Sequence, residues 1–294
     1  MVLLLNNMIN FHALTLKRVF LILVKFVFFV LILIVFTATL IRLVNIPSND
    51  RDWAVDQQVL PYAEFSDNQV TIKNIRNFSY SSVSDYTPDY YDKTFNLDEL
   101  VSVDFIVEPL KPVAVAHTFV SFGFGNGEYI AVSVEIRKEI GEEYSPLKGI
   151  LDQYELMYVI ADEKDVLKLR TLHRDDVLHL YPAIVTKEKT RELFVSMLDR
   201  VNNLKDNPEF YNTITSTCTT NISDHVNEIT PGKVPWDLRL LLPLDSDEYA
   251  YELGLIQNDI SFEELREKSI INYYVEKYKN DPEFSSKIRD HLKI

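Results

Sequence analysis

The longest apolar run of the chain lies near its N-terminus. Val19 to Ile41 is 23 residues long with a single charge, Lys25. A helix of this length can cross a bilayer. The basic residues before it, Lys17 and Arg18, favour a cytoplasmic N-terminus with the body of the protein outside. The alternative is a cleaved signal peptide, which would have a shorter apolar core and a small-residue cleavage site. We expect an uncleaved anchor.

The body after this run alternates apolar and polar residues in several short stretches, which is typical of strands. The predicted strands are Gln69 to Phe78, Leu100 to Leu110, Val113 to Phe124, Glu128 to Lys138, Tyr154 to Ile160 and Val177 to Tyr181. Glycines between the third and fourth strands predict a hairpin. Asp85 to Leu97, rich in Tyr and Asp, is expected to be a surface excursion.

Helical spacing follows the strands. Lys187 to Leu204 has an apolar stripe, with Thr186 as a plausible N-cap. A run of Ser and Thr then precedes Cys218, and Ile222 begins an apolar stripe four residues later, so a second helix should start at the hydroxyl-rich run. Phe262 to His291 is mostly helical and strongly charged. Strands followed by helices predict an α+β fold.

Charge is unevenly distributed. Residues 1–49 carry four basic and no acidic side chains, and the whole chain has a net charge of −14, which leaves −18 on residues 50–294. Phosphate binding requires a basic face, so nucleic acid is excluded as a partner. We find no metal-ligand spacing and no nucleotide-binding motif, and we expect neither a metal nor a cofactor.

Cys218 is the only cysteine of the chain. At a helix N-terminus the helix dipole and free N–H groups favour the thiolate, and the same N–H groups can hold an oxyanion. The alternative is a buried structural cysteine, the commoner fate of a lone Cys.

A thiol nucleophile needs a base within hydrogen-bond reach, and six histidines are present. His173 and His179 flank two aspartates and are expected to be solvated. His225 is too far along the Cys218 helix, His12 precedes the span and His291 is in the tail. His117 remains, on a predicted central strand, although it could also be a satisfied core histidine.

A third group usually orients the imidazole. Glu135 or Ser133, on the polar face of the neighbouring strand, can meet His117 across the hairpin. Glu135 could equally be a solvated glutamate. Arg137 on that face could bind a substrate anion, or pair with Glu135 or Glu139.

Several segments together resemble the Lnb N-terminal periplasmic domain family: AHTFVSFGF, YIAVSVEIRKEIGEEYSPLKG, QYELMYVIADEKDVLKLRT, PEFYNTITSTCTTNI and PWDLRLLLP. The resemblance runs from about Asn49 to about Leu255. It implies a permuted papain-like (NlpC/P60-type) fold, an antiparallel sheet packed on helices, in which the histidine strand precedes the cysteine helix. It also implies that Cys218 and His117 form a catalytic dyad with Glu135 as third member. Candidate substrate-binding residues in the same motifs are Ser133, Arg137, Tyr144 and Asn212.

With this resemblance the chain divides into five parts. They are a cytoplasmic N-terminus (1–18), a transmembrane anchor (19–44), a linker (45–60), the thiol domain (61–255) and a C-terminal helical tail (256–294). The expected location is the bacterial inner membrane, single-pass, with the domain facing the periplasm or outside.

Three functions remain open. The family's namesake is a lipoprotein intramolecular transacylase, so the first is a cysteine-dependent acyltransferase or hydrolase whose partner is a membrane lipid or lipoprotein. The second is a cell-wall peptidase or amidase, and the third is a non-catalytic envelope interaction domain. An apolar groove beside Cys218 would favour the first, and an open polar cleft the second. The oligomeric state is not predicted.

Overall fold

The computed structural model describes residues 2–110 and 115–292, with side chains from residue 17 onward. The chain forms two compact units, Met1–Ile46 and Pro47–Ile294. The first contains helix α1 (Val2–Val44). Within the described residues, Lys17–Val44 is the one helix that is long and apolar enough to cross a membrane.

The second unit is built around a mixed sheet, which has nine strands in the described part of the chain. They are β1 (Tyr62–Ser66), β2 (Gln69–Arg76), β5 (Tyr90–Asn96), β6 (Leu100–Leu110), β7 (Val115–Phe124), β8 (Tyr129–Arg137), β9 (Tyr154–Asp162), β10 (His179–Pro182) and β11 (Phe210–Tyr211). A separate small hairpin joins β3 (Ser79–Tyr80) to β4 (Tyr86–Thr87). The central order is β1-β2-β9-β8-β7-β6-β10, with β5 on β2 and β11 on β9. Pairing is antiparallel except between β2 and β9.

The helices of this unit follow the strands or connect them. They are α2 (Pro146–Ile150), α3 (Glu163–Lys168), α4 (Lys187–Asp206), α5 (Cys218–Ile229), α6 (Ser246–Glu252), α7 (Phe262–Lys268), α8 (Asn272–Tyr278) and α9 (Phe284–Lys287). The prediction of an α+β fold with a mostly antiparallel sheet and one N-terminal apolar helix is confirmed. The predicted hairpin is also confirmed as β7 and β8, although its first residues, 113 and 114, lie outside the described ones.

Alternating side chains of the central strands bury both faces of the sheet. On one face Val120, Val132 and Tyr158 pack with residues of α4 and α5. On the other face Phe119 and Met157 pack with residues of α3, α8 and α9. The C-terminal segment therefore covers one face of the sheet, and α5 is fixed on the opposite face against β7.

The expectation that Asp85 to Leu97 is a surface excursion is wrong, because it contains β5. This strand pairs antiparallel with β2, and Phe95 is buried with its ring centroid 4.7 Å from that of Phe124. The polar residues between its apolar ones face solvent, and Tyr and Asp obscured the alternation. Pairing with a distant strand, rather than local composition, decided the structure here.

Arg289 locks the C-terminal segment to the sheet. Its Nε donates to Asp104 Oδ2 at 2.8 Å, and its guanidinium also binds Glu163. All three residues are buried. Arg289→Met would leave two carboxylates buried without their cation, so we expect it to lower the free energy of unfolding by about 3–5 kcal/mol. Urea denaturation of the full chain in detergent measures this loss.

Lys287→Met is the matched control. Lys287 also pairs with an aspartate, Asp281 at 2.7 Å, but it does so at the surface, where such pairs contribute little. Equal losses in the two variants would contradict a buried lock at Arg289.

Candidate active site

Cys218 is the first residue of α5, and the local sequence fixes that start. Thr217 is the N-cap: its side chain accepts from Thr220 N at 3.2 Å, and its own N–H donates to Thr220 Oγ1 at 2.7 Å. This capping box satisfies first-turn donors that a helix cannot bond internally. The thiol therefore lies at a helix N-terminus, as the hydroxyl-rich run predicted, and the residue is 8% exposed.

The first turn of α5 packs on β7, the strand that carries His117. Thr219 Oγ1 lies 3.0 Å from Thr118 Oγ1 and 3.8 Å from Cys218 Sγ. The register of β7 with β8 runs up to Phe119 opposite Ser133. Beyond that pair, His117 meets the side chains that follow on β8.

His117 connects the thiol to β8. Its Nε2 lies 2.8 Å from Ser133 Oγ and 3.2 Å from Glu135 Oε1, and Ser133 Oγ donates to the same Glu135 oxygen at 2.7 Å. His117 and Cys218 also interact, and each shifts the pKa of the other. The structure thus brings Cys218, His117, Ser133 and Glu135 together.

The pKa values of the group are coupled through these contacts. Burial alone would raise the pKa of the Cys218 thiol, but the interaction with His117 outweighs it and lowers the pKa to about 7. Burial alone would lower the pKa of His117, but Glu135 and Cys218 raise it to about 10. The favoured state near neutral pH is a thiolate beside an imidazolium.

Two residues that sequence reasoning missed extend this network. Arg170 donates from Nη2 to Glu135 Oε1 at 3.1 Å and from Nε to Glu108 Oε2 at 2.8 Å. His117 and Arg170 outweigh the desolvation of Glu135 and hold its pKa well below its usual range. Charges of alternating sign therefore run from Cys218 to Glu108. A signal for them existed, since each is a charged residue within an apolar run, and a buried charge requires a partner.

Arg137 lies outside this network. Its guanidinium donates to the carbonyl oxygens of Gln57 and Gln58 and to Asn49 Oδ1, each at 2.9 Å, and it stacks on Trp53 at 4.1 Å. These bonds tie β8 to the segment before β1. Arg137 is 2% exposed, so its predicted role in substrate binding stays a prediction that these contacts do not support.

Asn212 and Tyr144 lie on loops beside the thiol. Asn212 Oδ1 accepts from Ile214 N at 2.9 Å and from Thr215 N at 3.1 Å, so it shapes the loop that leads into α5. Tyr144 is exposed. It contributes to the raised pKa of Tyr211, which is due first to burial and then to the charge at Cys218.

The remaining histidines are placed elsewhere. The expectation that His179 is solvated is wrong, because β10 buries it and its Nδ1 lies 2.9 Å from Ser269 Oγ. His225 bonds Tyr158 on one side and Ser196 on the other, and burial lowers its pKa to about 4. The side chain of His12 lies outside the described residues. Among the residues described, no three acidic, His or Cys side chains are grouped to hold a metal ion.

An apolar cavity of about 510 Å³ lies beside the first turns of α5. Thr219, Ile222 and Val226 of α5 form one wall, and Val120 of β7 and Leu240 lie among the other lining residues. Pockets that hold small molecules measure roughly 300–1,000 Å³. Cys218 itself does not line this space, but its neighbour Thr219 does, and the cavity is large enough for an apolar ligand group.

The lowered thiol pKa predicts a specific reactivity profile. Cys218 is the only thiol, so its alkylation by iodoacetamide can be followed by mass spectrometry on the full chain. The rate should rise with pH through an inflection near 7 and then level off, since the thiolate is the reactive form above its pKa. In His117→Gln the inflection should move towards or above the 8.5 or so of a free thiol.

His225→Gln is the control, because it replaces a buried histidine of α5 itself, and it should leave the inflection in place. A wild-type inflection above 8, or the same shift in both variants, would contradict coupling between Cys218 and His117.

Glu135→Gln tests the next link. Losing the carboxylate lowers the pKa of His117, which weakens the imidazolium that holds the thiolate. The alkylation inflection should therefore move upward, but less than in His117→Gln, because the ring remains. Glu139→Gln, a change on a half-exposed glutamate just past the end of β8, should not move it. An unchanged alkylation inflection in Glu135→Gln would show that Glu135 does not influence the pKa of the thiol.

Of three comparisons with known proteins, one found a match. The model of the Lnb N-terminal periplasmic domain matches residues 86–243, more than half of the chain. Searches of curated proteins and of solved structures found no match. A periplasmic domain family together with one N-terminal apolar helix fits a single-pass inner-membrane protein with an envelope-related role. The chain belongs to the Lnb N-terminal periplasmic domain family.

Proposed function

We propose that this protein is a membrane-anchored, cysteine-dependent acyltransferase or hydrolase that acts on the acyl groups of lipoproteins or lipids. The observation that carries the proposal is the placement of Cys218 at the start of α5, against the strand whose His117 pairs with Glu135 and lowers the pKa of the thiol. A structural cysteine needs no base beside it and no lowered pKa. Perturbed titration next to a cavity is typical of a reaction site.

We further propose that the domain is a permuted papain-like fold. Such folds place a cysteine at a helix N-terminus against a strand-borne histidine. In this chain the histidine strand, β7, precedes the cysteine helix, α5, along the sequence. Two structural relations support the proposal: α5 packs against β7, and Glu135 approaches the imidazole from the neighbouring strand.

The reaction begins with the thiolate of Cys218, which attacks the carbonyl carbon of an acyl ester. The S–C bond forms as the carbonyl oxygen takes the negative charge, and N–H groups of the first turn of α5 hold this oxyanion. The C–O ester bond then breaks, and the imidazolium of His117 gives its proton to the leaving alcohol. Water or an amine attacks the thioester, returns a proton to His117 and regenerates the thiolate.

Glu135 keeps the imidazole oriented and favours its charged form. Arg170 in turn keeps Glu135 ionised, so it is a positioning residue rather than one that touches the substrate. The cavity beside α5 supplies a dry site for an acyl chain, whereas cell-wall peptides are polar and would meet a mostly apolar lining. This contrast favours an acyl substrate over a peptide.

The test is a covalent intermediate. The full chain in liposomes is incubated with a diacylated lipoprotein, with phospholipid alone, and with cell-wall peptides, and its intact mass is measured. We expect an acyl-sized, hydroxylamine-sensitive adduct that is absent in Cys218→Ala and retained in His225→Ala. His117→Ala should slow the release of the adduct, because the acceptor then lacks its base.

Each other outcome decides against the proposal. A peptidyl adduct would identify a peptidase or amidase. An adduct on another residue would remove Cys218 from the chemistry. Absence of any adduct, combined with ordinary thiol reactivity, would leave a non-catalytic envelope domain.

A further inference from the structure

Six large apolar side chains are exposed on three segments around the thiol. They are between 48% and 72% exposed. The first segment, residues 140–148, carries Ile140 and Leu147; the second, residues 212–217, carries Ile214; the third, residues 233–242, carries Trp236, Leu238 and Leu242. We call these six side chains the apolar rim. Exposed apolar patches of this kind mark interaction sites.

The three segments lie against one another and against the start of α5. Thr213 Oγ1 of the second segment donates to Pro146 O of the first at 3.1 Å. Thr217, the N-cap of α5, lies with its Oγ1 3.5 Å from Leu240 O of the third. The apolar rim therefore surrounds the side of the molecule at which Cys218 begins its helix. Leu240 also lines the apolar cavity, so the cavity lies directly behind the rim.

The chain enters the second compact unit beside the first segment. Ile140 N donates to Asp52 O at 2.8 Å, and the backbones of Trp53 and Glu139 pair in an isolated antiparallel β-bridge. Ser48 N donates to Glu155 Oε1 at 3.1 Å. These bonds fix residues 48–53 against the sheet and against the start of the first segment.

Charge distinguishes the three segments from the rest of the body. Together they hold three acidic and three basic residues and are neutral, whereas residues 50–294 carry −18. An anionic lipid surface repels a strongly negative body, and a neutral apolar patch is where such a body can approach it. Trp settles at the lipid headgroup level, and Trp and Leu are among the residues that interfacial segments bury at the boundary with the acyl chains.

We propose that the apolar rim inserts into the membrane leaflet that the domain faces, so that the site of Cys218 opens onto lipid. The occupant of this surface is the bilayer itself. The rim then determines which substrates arrive, because acyl chains enter the cavity from the leaflet without crossing water. This surface does not depend on the thiol chemistry and can be tested without it.

The two tryptophans of the chain make the test direct. Trp53 is 5% exposed, whereas Trp236 in the rim is 72% exposed. The full chain is reconstituted in nanodiscs of phosphatidylcholine and phosphatidylglycerol, with either ordinary or brominated acyl chains, since bromine quenches an indole that touches it. We expect brominated lipid to quench the tryptophan fluorescence of the wild-type chain more than that of Trp236→Phe. The emission lost in Trp236→Phe, which belongs to Trp236, should be blue-shifted. Cys218→Ala should be quenched as wild type.

A transplanted indole provides the matched control. Tyr273 is exposed on α8, whose residues pack on the sheet face opposite α5. In the double variant Trp236→Phe, Tyr273→Trp, the new indole at position 273 should stay in water. Brominated lipid should therefore quench the tryptophan emission of the double variant no more than that of Trp236→Phe. Leu238→Gln with Leu242→Gln should reduce the quenching of Trp236.

Two results would overturn the proposal. Equal emission of Trp236 in ordinary and brominated nanodiscs would place the rim in water. A blue-shifted Trp236 that bromine does not reach would mean that a second copy or another protein covers the rim.

Discussion

The candidate site depends on an ion pair between the thiolate of Cys218 and the imidazolium of His117, and burial opposes both charges. A buried thiol resists ionisation, and a buried imidazole resists protonation, yet here each lowers the cost of charging the other. The pair persists because the charges alternate beyond it, from imidazolium to Glu135, then to Arg170, then to Glu108. Removing one member leaves its neighbour as an uncompensated charge in a dry environment. The network therefore acts as a unit rather than as separate bonds.

The fold places these members on different elements and holds each by burial. β7 and β8 carry His117 and Glu135, and the helical stretch after β9 carries Arg170. The stack of His117, Phe119 and Arg170 keeps the planar groups in line, with Phe119 5.7 Å from the imidazole and 4.9 Å from the guanidinium. Arg170 and Glu108 are buried, whereas His117 and Glu135 are partly exposed. The low exposure of the line strengthens the interactions within it.

The surroundings of the thiol are asymmetric. Charged and polar groups lie towards β8, whereas the neighbouring part of α5 faces an apolar cavity backed by an apolar rim. In the proposed reaction the polar side supplies proton transfer, and the apolar side supplies a place for an acyl chain. The two proposals meet here, since a rim in lipid and a dry cavity behind it bring the same class of substrate to the same sulfur.

Local sequence determined the features that depend on neighbours along the chain. The length of the apolar run predicted α1, alternation and glycines predicted the β7–β8 hairpin, and hydroxyl residues predicted that a helix starts at Cys218. Elimination among six histidines then pointed to His117. Contacts between distant residues were decided by tertiary structure: the pairing of β5 with β2, the burial of His179, and the bonds of Arg137 to residues 49–58. Arg170 is the clearest case, because it joins Glu108 and Glu135 across 62 and 35 residues. Periodicity and capping act over a few residues, whereas partners for buried charges are chosen only when the strands and helices pack together.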